Sequence, residues 1–372
     1  MPIDQTKTRE RATRSGPAFV PDRAAGAGML ATAGALTPQL RRLPHNPIIS
    51  PRRDNAWESF ATFNTAAIHL DGRVHFLYRA MGELGISVLG YASSVDGIHI
   101  DERLDEPAYV PRESFEMTPA PPRQHAHPNP YARQYMSGGG YGGCEDPRLT
   151  RIDDTLYMTY VAFNGFAPPR VALTSISVDD FLAQRWTWRR PVLISRPGIV
   201  DKNAVLFPER IGGEYVFFHR VFPEMLVSRR ESLEFGEDDY LSGEFSIAPR
   251  PGFWDSRKVG AGPPPIRTKD GWLLIYHAVD DRHDSKYKVG AMLLDLVEPK
   301  KVLHRSPAPI LEPEAPPENE GHKSGVVYPC GAVVIGDELI VYYGGADKFV
   351  CAATYGLSAF LEELEQAAVR AC

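Results

Sequence analysis

The sequence predicts an all-β protein: a five-bladed β-propeller with a disordered or draped N-terminal arm and a C-terminal helix. Three observations carry this. Pro (33) and Gly (32) make up more than a sixth of the 372 residues, so turns are frequent and long helices few. Five short turns recur, at Asp71-Gly72, Asp153-Asp154, Gly212-Gly213, Asp270-Gly271 and Gly336-Asp337, each between runs of aromatic and β-branched residues. Such turns are strong hairpin signals. The turns lie about 60 to 80 residues apart, and self-similarity at a fixed period marks a radial repeat whose blades leave few exposed edges. A pair of β-sandwiches is the other all-β arrangement, and five similar hairpins fit it less naturally.

Residues 1–40 are rich in Ala, Gly, Thr and Arg without a clear period, and read as the flexible arm. Residues 41–372 read as one catalytic propeller domain. Each unit opens with a strand such as NTAAIHL, DPRLTRI, NAVLFPERI or CGAVVI, and the turn leads to RVHFLYRA, TLYMTYVA, EYVFFHRV, WLLIYHAV or ELIVYYGG. A third strand follows most hairpins, as in ISVLGYASS, RVALTSIS and YKVGAMLLD. Long loops at 107–143 and 307–326 account for the wide spacing. Leu361, Leu364 and Ala367/Ala368 recur at helical spacing among glutamates, so Leu357–Arg370 reads as one amphipathic helix.

With 41 Lys+Arg against 47 Asp+Glu the net charge is −6, which speaks against a nucleic-acid binder relying on a basic face. No apolar run approaches the roughly 20 residues of a membrane span. Cys144, Cys330, Cys351 and Cys372 form no metal-binding spacing, so no metal site is expected, and reduced thiols in a cytoplasmic protein are the reading.

Aligning the hairpins on their turns places Asn64, Asp146, Asn203, Pro263 and Pro329 in one blade-start column around a central channel. A second column reads Tyr78, Tyr160, His219, His277 and Tyr343, followed by Arg79, Val161, Arg220, Ala278 and Gly344. The segment Gly143-Cys144-Glu145-Asp146-Pro147-Arg148 is the sharpest local feature, because two adjacent carboxylates beside an Arg can set one acid's protonation. Lys202, Arg220, Lys258 and His277 would make a cationic pocket beside Asp146 and Asp347, suited to an oxyanion such as phosphate. Trp57, Trp254 and Tyr276 could offer sugar-stacking faces.

Taken with Asn46-Pro47-Ile48, Asp201-Lys202-Asn203, Gly260-Ala261-Gly262-Pro263-Pro264-Pro265, Val327-Tyr328-Pro329-Cys330-Gly331 and Gly344-Gly345-Ala346-Asp347, these segments resemble glycoside hydrolase family 130. That family contains mannoside phosphorylases and some β-mannosidases, and its fold is a five-bladed propeller. The resemblance implies inverting phosphorolysis of β-1,4- or β-1,2-linked mannosides to α-mannose 1-phosphate, with phosphate as co-substrate and no other cofactor. It implies Asp146 as general acid, acting through the 3-hydroxyl of the mannosyl unit. It further implies Asn64, Glu145, Arg148, Tyr276 and Asp347 as sugar-binding residues, and Arg79, Lys202, Arg220, Lys258 and His277 as phosphate ligands. In hydrolytic members glutamates replace cationic phosphate ligands; the matching positions here are not acidic. A β-mannoside hydrolase and a non-catalytic sugar-binding propeller are the competing readings. The loop 118–141, with Tyr131, Tyr135 and Tyr141, would lid the acceptor side, and the arm could mediate assembly of a homo-oligomer.

Overall fold

Alternating apolar residues around tight turns fold the chain into antiparallel sheets. In the computed structural model, residues 37–117, 135, 138 and 140–370 are described. β1 (Arg41–Arg42) is followed by the first group: β2 (Ala61–Leu70), β3 (Arg73–Met81), β4 (Ile86–Ser94) and β5 (Glu102–Arg103). The second holds β6 (Gly142–Ile152), β7 (Thr155–Phe163), β8 (Arg170–Ser177), a short helix α1 (Val178–Leu182) and β9 (Val192–Leu193). The third is β10 (Asp201–Leu206), β11 (Tyr215–Val221), β12 (Glu224–Arg230) and β13 (Phe245–Ile247). The fourth is β14 (Lys258–Ala261), β15 (Ile266–Arg267), β16 (Trp272–Val279), β17 (Lys288–Leu294) and β18 (Val302–Arg305). A single turn, α2 (Pro316–Asn319), precedes β19 (Val327–Ile335), β20 (Glu338–Gly345) and β21 (Phe349–Gly356), and α3 (Leu357–Arg370) ends the described chain.

Four of the five expected turns are tight. Leu70 pairs with Arg73 across Asp71 (φ 46°) and Gly72 (φ 71°), both left-handed, the turn whose twist matches paired strands. Ile152 pairs with Thr155 and Ile335 with Glu338, while Ile211 bridges Glu214. The fourth turn is longer: Arg267 pairs with Trp272, leaving residues 268–271 in the loop, which the Thr268 hydroxyl closes by donating to the Gly271 carbonyl at 2.7 Å.

Apolar faces of successive groups pack on one another. Leu77, Leu89 and Tyr91 of the first meet Leu149, Leu156 and Met158 of the second. Val171 and Leu173 meet Leu206 and Phe217; Phe218 and Val227 of the third meet Val259, Trp272 and Leu274 of the fourth. Leu273, Ile275 and Leu293 meet Leu339 and Val341 of the last group, where Phe360, Leu361 and Leu364 of α3 join them. Val74 and Phe76 of the first group meet Ile340 and Tyr342 of the last, which returns the cycle to its start. β1 pairs with β21, so the described chain begins at the edge of the sheet where it ends. Of the expected arm, residues 1–36 lie outside the described residues; Leu40 is buried and donates its amide to the Ile310 carbonyl at 2.9 Å.

Each group also holds a buried ring bonded to a buried carboxylate. The hydroxyls of Tyr78, Tyr160, Tyr276 and Tyr343 donate to Glu58 (2.8 Å), Glu116 (2.5 Å), Asp255 (2.8 Å) and Glu318 (2.8 Å), and His219 Nδ1 lies 2.7 Å from Asp201. Asp201 opens its group's first strand and the other four carboxylates precede theirs in sequence, Glu116 from further back but with its carbonyl accepting from the Gly143 amide at 2.8 Å. Glu318 is the best supplied, accepting also from Arg42 Nε (2.7 Å) and from the backbone amides of Glu314 (2.7 Å) and Ala315 (3.0 Å). Removing it strands several buried donors. Glu318→Ala is expected to lower unfolding stability by about 3 kcal/mol, and Tyr343→Phe by about 1 kcal/mol, read from urea denaturation midpoints.

Candidate active site

The first strand of a group is interrupted where it reaches the centre. Register shifts fall between Phe63 and Ala66, Glu145 and Arg148, Lys202 and Val205, and Pro329 and Gly331. In three of these bulges one residue is left-handed: Asn64 (φ 48°), Asp146 (φ 52°) and Asn203 (φ 58°). Bulges re-aim a side chain and end pairing, and Pro147, which lacks an amide hydrogen, is tolerated in one. Gly143 (φ 108°) brings β6 against β4; a Cβ there would stand 2.1 Å from the Ser87 carbonyl oxygen.

These bulges face a cavity of about 810 Å³, within the range of ligand pockets, whose lining includes Asn64, Arg79, Asp146, Lys202, Arg220, Lys258 and Asp347. On its acidic side, Asp146 Oδ1 accepts from Asn64 Nδ2 at 2.8 Å and from Arg79 Nη1 at 3.2 Å. Arg79 is buried; its Nη2 binds Glu145 Oε1 at 2.9 Å, its Nε the Ser87 hydroxyl at 2.9 Å, and its plane covers Phe63. Burial pushes the Asp146 carboxyl up, but Arg79, Arg148, the Asn64 amide and Lys202 together hold it below the usual carboxylate range. Asp347 (φ 52°) goes the other way: burial, aided by the Asp146 charge, raises it against the opposing pull of Arg79, Lys323 and His322.

Cations line the same cavity. Lys202 and Arg220 are directly paired across β10 and β11, a like-charge placement that an anion between them would relieve. Lys258 Nζ donates to the Tyr287 hydroxyl at 2.6 Å. Burial lowers Lys258, and Arg220 and Lys323 add to this. Burial would raise Tyr287, yet Lys258, Arg220 and Lys323 bring its phenol below the usual value. Among the described residues, the buried Arg220 Nη1 has no hydrogen-bond partner.

The structure therefore gathers Asn64, Arg79, Asp146, Lys202, Arg220, Lys258 and Asp347 at one cavity. Glu145 and Arg148 are buried behind it: Glu145 takes Lys202 Nζ at 3.5 Å as well as Arg79, and Arg148 donates to the carbonyls of Gly262 (2.9 Å) and Asp146. Tyr276 does not reach the cavity, since its hydroxyl is bound to Asp255 within the core of the third and fourth groups. Trp254 belongs to that core, and Trp57 packs on Tyr78 with its indole donating to the Asp105 carbonyl at 2.7 Å. His277 is buried behind Tyr328, ring centroids 4.4 Å apart. Burial, then Arg220, Arg148 and Lys258, push its imidazole well below the usual value, so it is neutral and supplies no cationic contact.

The fourth unit departs from the turn-based alignment on both strands: its longer loop shifts the first strand, and Trp272 opens β16 one residue nearer to its ring than Arg73 does in β3. Pairing of Lys202 with Arg220 and of Gly260 with His277 makes His277 the counterpart of Arg79 and Arg220, and Tyr276 that of Tyr78. By the same register Ala261, not Pro263, is the counterpart of Asn64 and Asn203. Sequence reasoning missed Tyr287, His322, Lys323 and Tyr328, which line the cavity from strand starts and the loop before β19. The Tyr328 hydroxyl accepts from Asn203 Nδ2. Of the expected acceptor loop, Tyr135 lines the cavity and Tyr131 lies outside the described residues.

Comparison with known proteins follows the same architecture. A family model described as beta-1,4-mannooligosaccharide phosphorylase matches residues 39–365. A 1,2-beta-oligomannan phosphorylase of Thermoanaerobacter sp. (strain X514) is 39% identical over 323 residues, covering 84% of this chain and 95% of the relative. A beta-1,2-mannobiose phosphorylase of the same organism is 34% identical over 328 residues, with 84% and 95% covered. One similar solved structure, described in terms of the GH130 family of mannoside phosphorylases containing glycoside hydrolases that target beta-1,2 mannosidic linkages in Candida mannan, is 26% identical, with a TM-score of 0.68 over 88% of this chain and 96% of that one.

The neutral imidazole gives a direct check. His277 resists protonation when folded and would accept a proton near pH 6.5 when unfolded, so its contribution to stability falls as pH drops below that value. Its ring nitrogen NMR signals are expected to stay in the neutral form down to about pH 5, identified by their loss in His277→Gln.

Proposed function

We infer the function of this chain from the premise that it belongs to glycoside hydrolase family 130: inverting phosphorolysis of a β-1,2- or β-1,4-linked mannoside. The products are α-mannose 1-phosphate and the shortened acceptor. Lys202, Arg220 and Lys258 lining the same cavity as Asp146 is the observation that carries this reading. The five strand groups are read as the blades of a five-bladed β-propeller, a reading supported by the closed cycle of apolar interfaces between successive groups.

In this mechanism Asn64 and Asp347 hold the mannosyl unit beside Asp146. Lys202, Arg220, Lys258 and the Tyr287 hydroxyl bind phosphate and aim one oxygen at C1. As that oxygen attacks, the bond from C1 to the glycosidic oxygen breaks. The leaving oxygen takes a proton from the mannosyl 3-hydroxyl, which takes one from Asp146. Phosphate is already a nucleophile, so the protein contributes position and charge rather than a base. Arg79 clasps Glu145 and Asp146, so it orients the acid more than it binds phosphate.

The likeness to a structure described with hydrolases keeps β-mannoside hydrolysis as the second reading. An inverting hydrolase needs a carboxylate base roughly 6.5–9.5 Å from the acid, across the sugar. Here the cavity that Asp146 lines also presents Lys202, Arg220 and Lys258. Asp347 interacts with the same Arg79 as Asp146, and burial favours its protonated form, which suits it poorly as a base.

Incubation with β-1,2- and β-1,4-linked mannobiose, with and without phosphate, tests the proposal by phosphorus NMR. An anomeric phosphate that forms only when phosphate is present is expected, and the better disaccharide defines the linkage. Free mannose formed regardless of phosphate would replace the proposal by hydrolysis, and no product from any sugar would favour a binding module. Asp146→Asn should lower turnover at least about a thousandfold with circular dichroism unchanged. Lys258→Ala and Arg220→Ala should raise the KM for phosphate by roughly tenfold or more, and that for the sugar far less.

A further inference from the structure

A line of alternating charge runs from the cationic side of the cavity to the carboxylates. Lys202 Nζ lies 3.5 Å from Glu145 Oε2, Glu145 Oε1 lies 2.9 Å from Arg79 Nη2, and Arg79 Nη1 lies 3.2 Å from Asp146 Oδ1. Glu145 and Arg79 are buried, so these charges act on one another with little screening. Asp347 lines the same cavity and interacts with Arg79 and Asp146. From this geometry we propose that a doubly charged tetrahedral oxyanion bound at Lys202, Arg220 and Lys258 loads one proton from solvent onto the Asp146–Asp347 pair, so that the co-substrate itself arms the acid. The inference rests on the anion-site reading above.

The problem it solves is visible in the site. A general acid must carry a proton at the start of the reaction, yet the cations around Asp146 favour its ionised form. Of those cations, Lys202 is the one that also belongs to the oxyanion site, and its bond to Glu145 ties it to Arg79. When Lys202 turns its charge to the anion, Glu145 is left more dependent on Arg79, and Arg79 has less to offer Asp146. The anion's own charge further disfavours two carboxylates in one cavity, so one takes a proton and becomes a carboxylic acid; no other bond changes. Asp146 and Asp347 then behave as a pair sharing a proton rather than as independent acids.

The groups facing the pair set the limits. Asp146 is faced by Asn64 from β2, Arg79 from β3, Glu145 and Arg148 from its own strand, Lys202 from β10, and Tyr328 and Cys330 from β19. Asp347 is faced by Arg79, His322, Lys323 and Cys330 as well as Asp146. His277 faces the same cations from β16 and is the other group an anion could protonate.

Sulfate is the probe, because it stays doubly charged and carries no proton of its own in the working range, unlike phosphate. Sulfate binding to the whole protein is measured by calorimetry near pH 6, in two buffers of different ionisation enthalpy. The buffer difference is expected to report uptake of about half a proton or more per sulfate. The affinity should tighten about three- to tenfold for each pH unit of acidification between about pH 7.5 and 5.5. Asp146→Asn and Asp347→Asn should each bind sulfate while losing that uptake; if one does not fold, the other and the wild-type buffer comparison still decide. Sulfate that binds with no proton uptake overturns the proposal and leaves the anion site standing. Uptake that survives both carboxylate variants and is lost in His277→Gln overturns it in favour of the imidazole. No sulfate binding at all overturns the anion-site reading and this inference with it.

Discussion

A buried carboxylate needs partners, and in this protein that requirement is met five times in the same way. Glu58, Glu116, Asp201, Asp255 and Glu318 each hold a ring from the second strand of their group: Tyr78, Tyr160, His219, Tyr276 and Tyr343. The bond fixes the segment at the head of the first strand to the middle of the second. Because side chains alternate along a strand, it also fixes which way the next residue points. In the first and third groups that next residue is Arg79 or Arg220, and both reach the cavity. The structural bond thus sets the aim of the functional side chain.

The cavity that results is divided by charge. Asp146 and Asp347 both act on Arg79, while Lys258, Arg220 and Lys323 act together on the Tyr287 phenol. Neither set is solvated freely. The bulges at Asn64, Asp146 and Asn203 place backbone in a left-handed conformation that ordinary residues avoid, a cost of order 1–3 kcal/mol at each position. Asn and Asp tolerate that conformation better than most side chains. The same residue types are those able to hydrogen-bond a sugar hydroxyl, so backbone demand and chemical demand coincide.

How much of this the sequence revealed depended on turn length. Two-residue turns keep a constant offset between paired strands, so Asn64, Asp146, Arg79 and Arg220 align from spacing alone, while Asn203 aligns only by allowing a longer hairpin. The longer loop at 268–271 shifts the first strand of the fourth group, and Trp272 precedes Tyr276 by one residue fewer than Arg73 precedes Tyr78, so counting from the turn sets His277 in the column that belongs to Tyr276. Every residue of β16 is buried, so no pattern of polar alternation existed to correct it. Tyr287 and Lys323 come from segments outside the repeating hairpins and are brought near Lys258 only by tertiary packing, and the aromatic identity of Tyr287 and Tyr328 reads in sequence as core. The boundaries of α3 were legible because a lone amphipathic helix after a run of strands has a period of its own.

The pairing of β1 with β21 has a consequence for how the protein comes to be made. Arg41 lies beside Thr354, and Arg42 beside Ala353, with nearly the whole described chain between them. During synthesis, the earliest of these strands must wait for its neighbour until almost all the polypeptide has left the ribosome. Contacts so distant in sequence are slow to form, because a long loop must close before they gain anything. Until then the edge of the last sheet and the strand that completes it are both unpaired. The interval before this pairing is therefore when a nascent copy is most open to exchanging this strand with another copy, and its length is set by translation speed rather than by the stability of the finished fold.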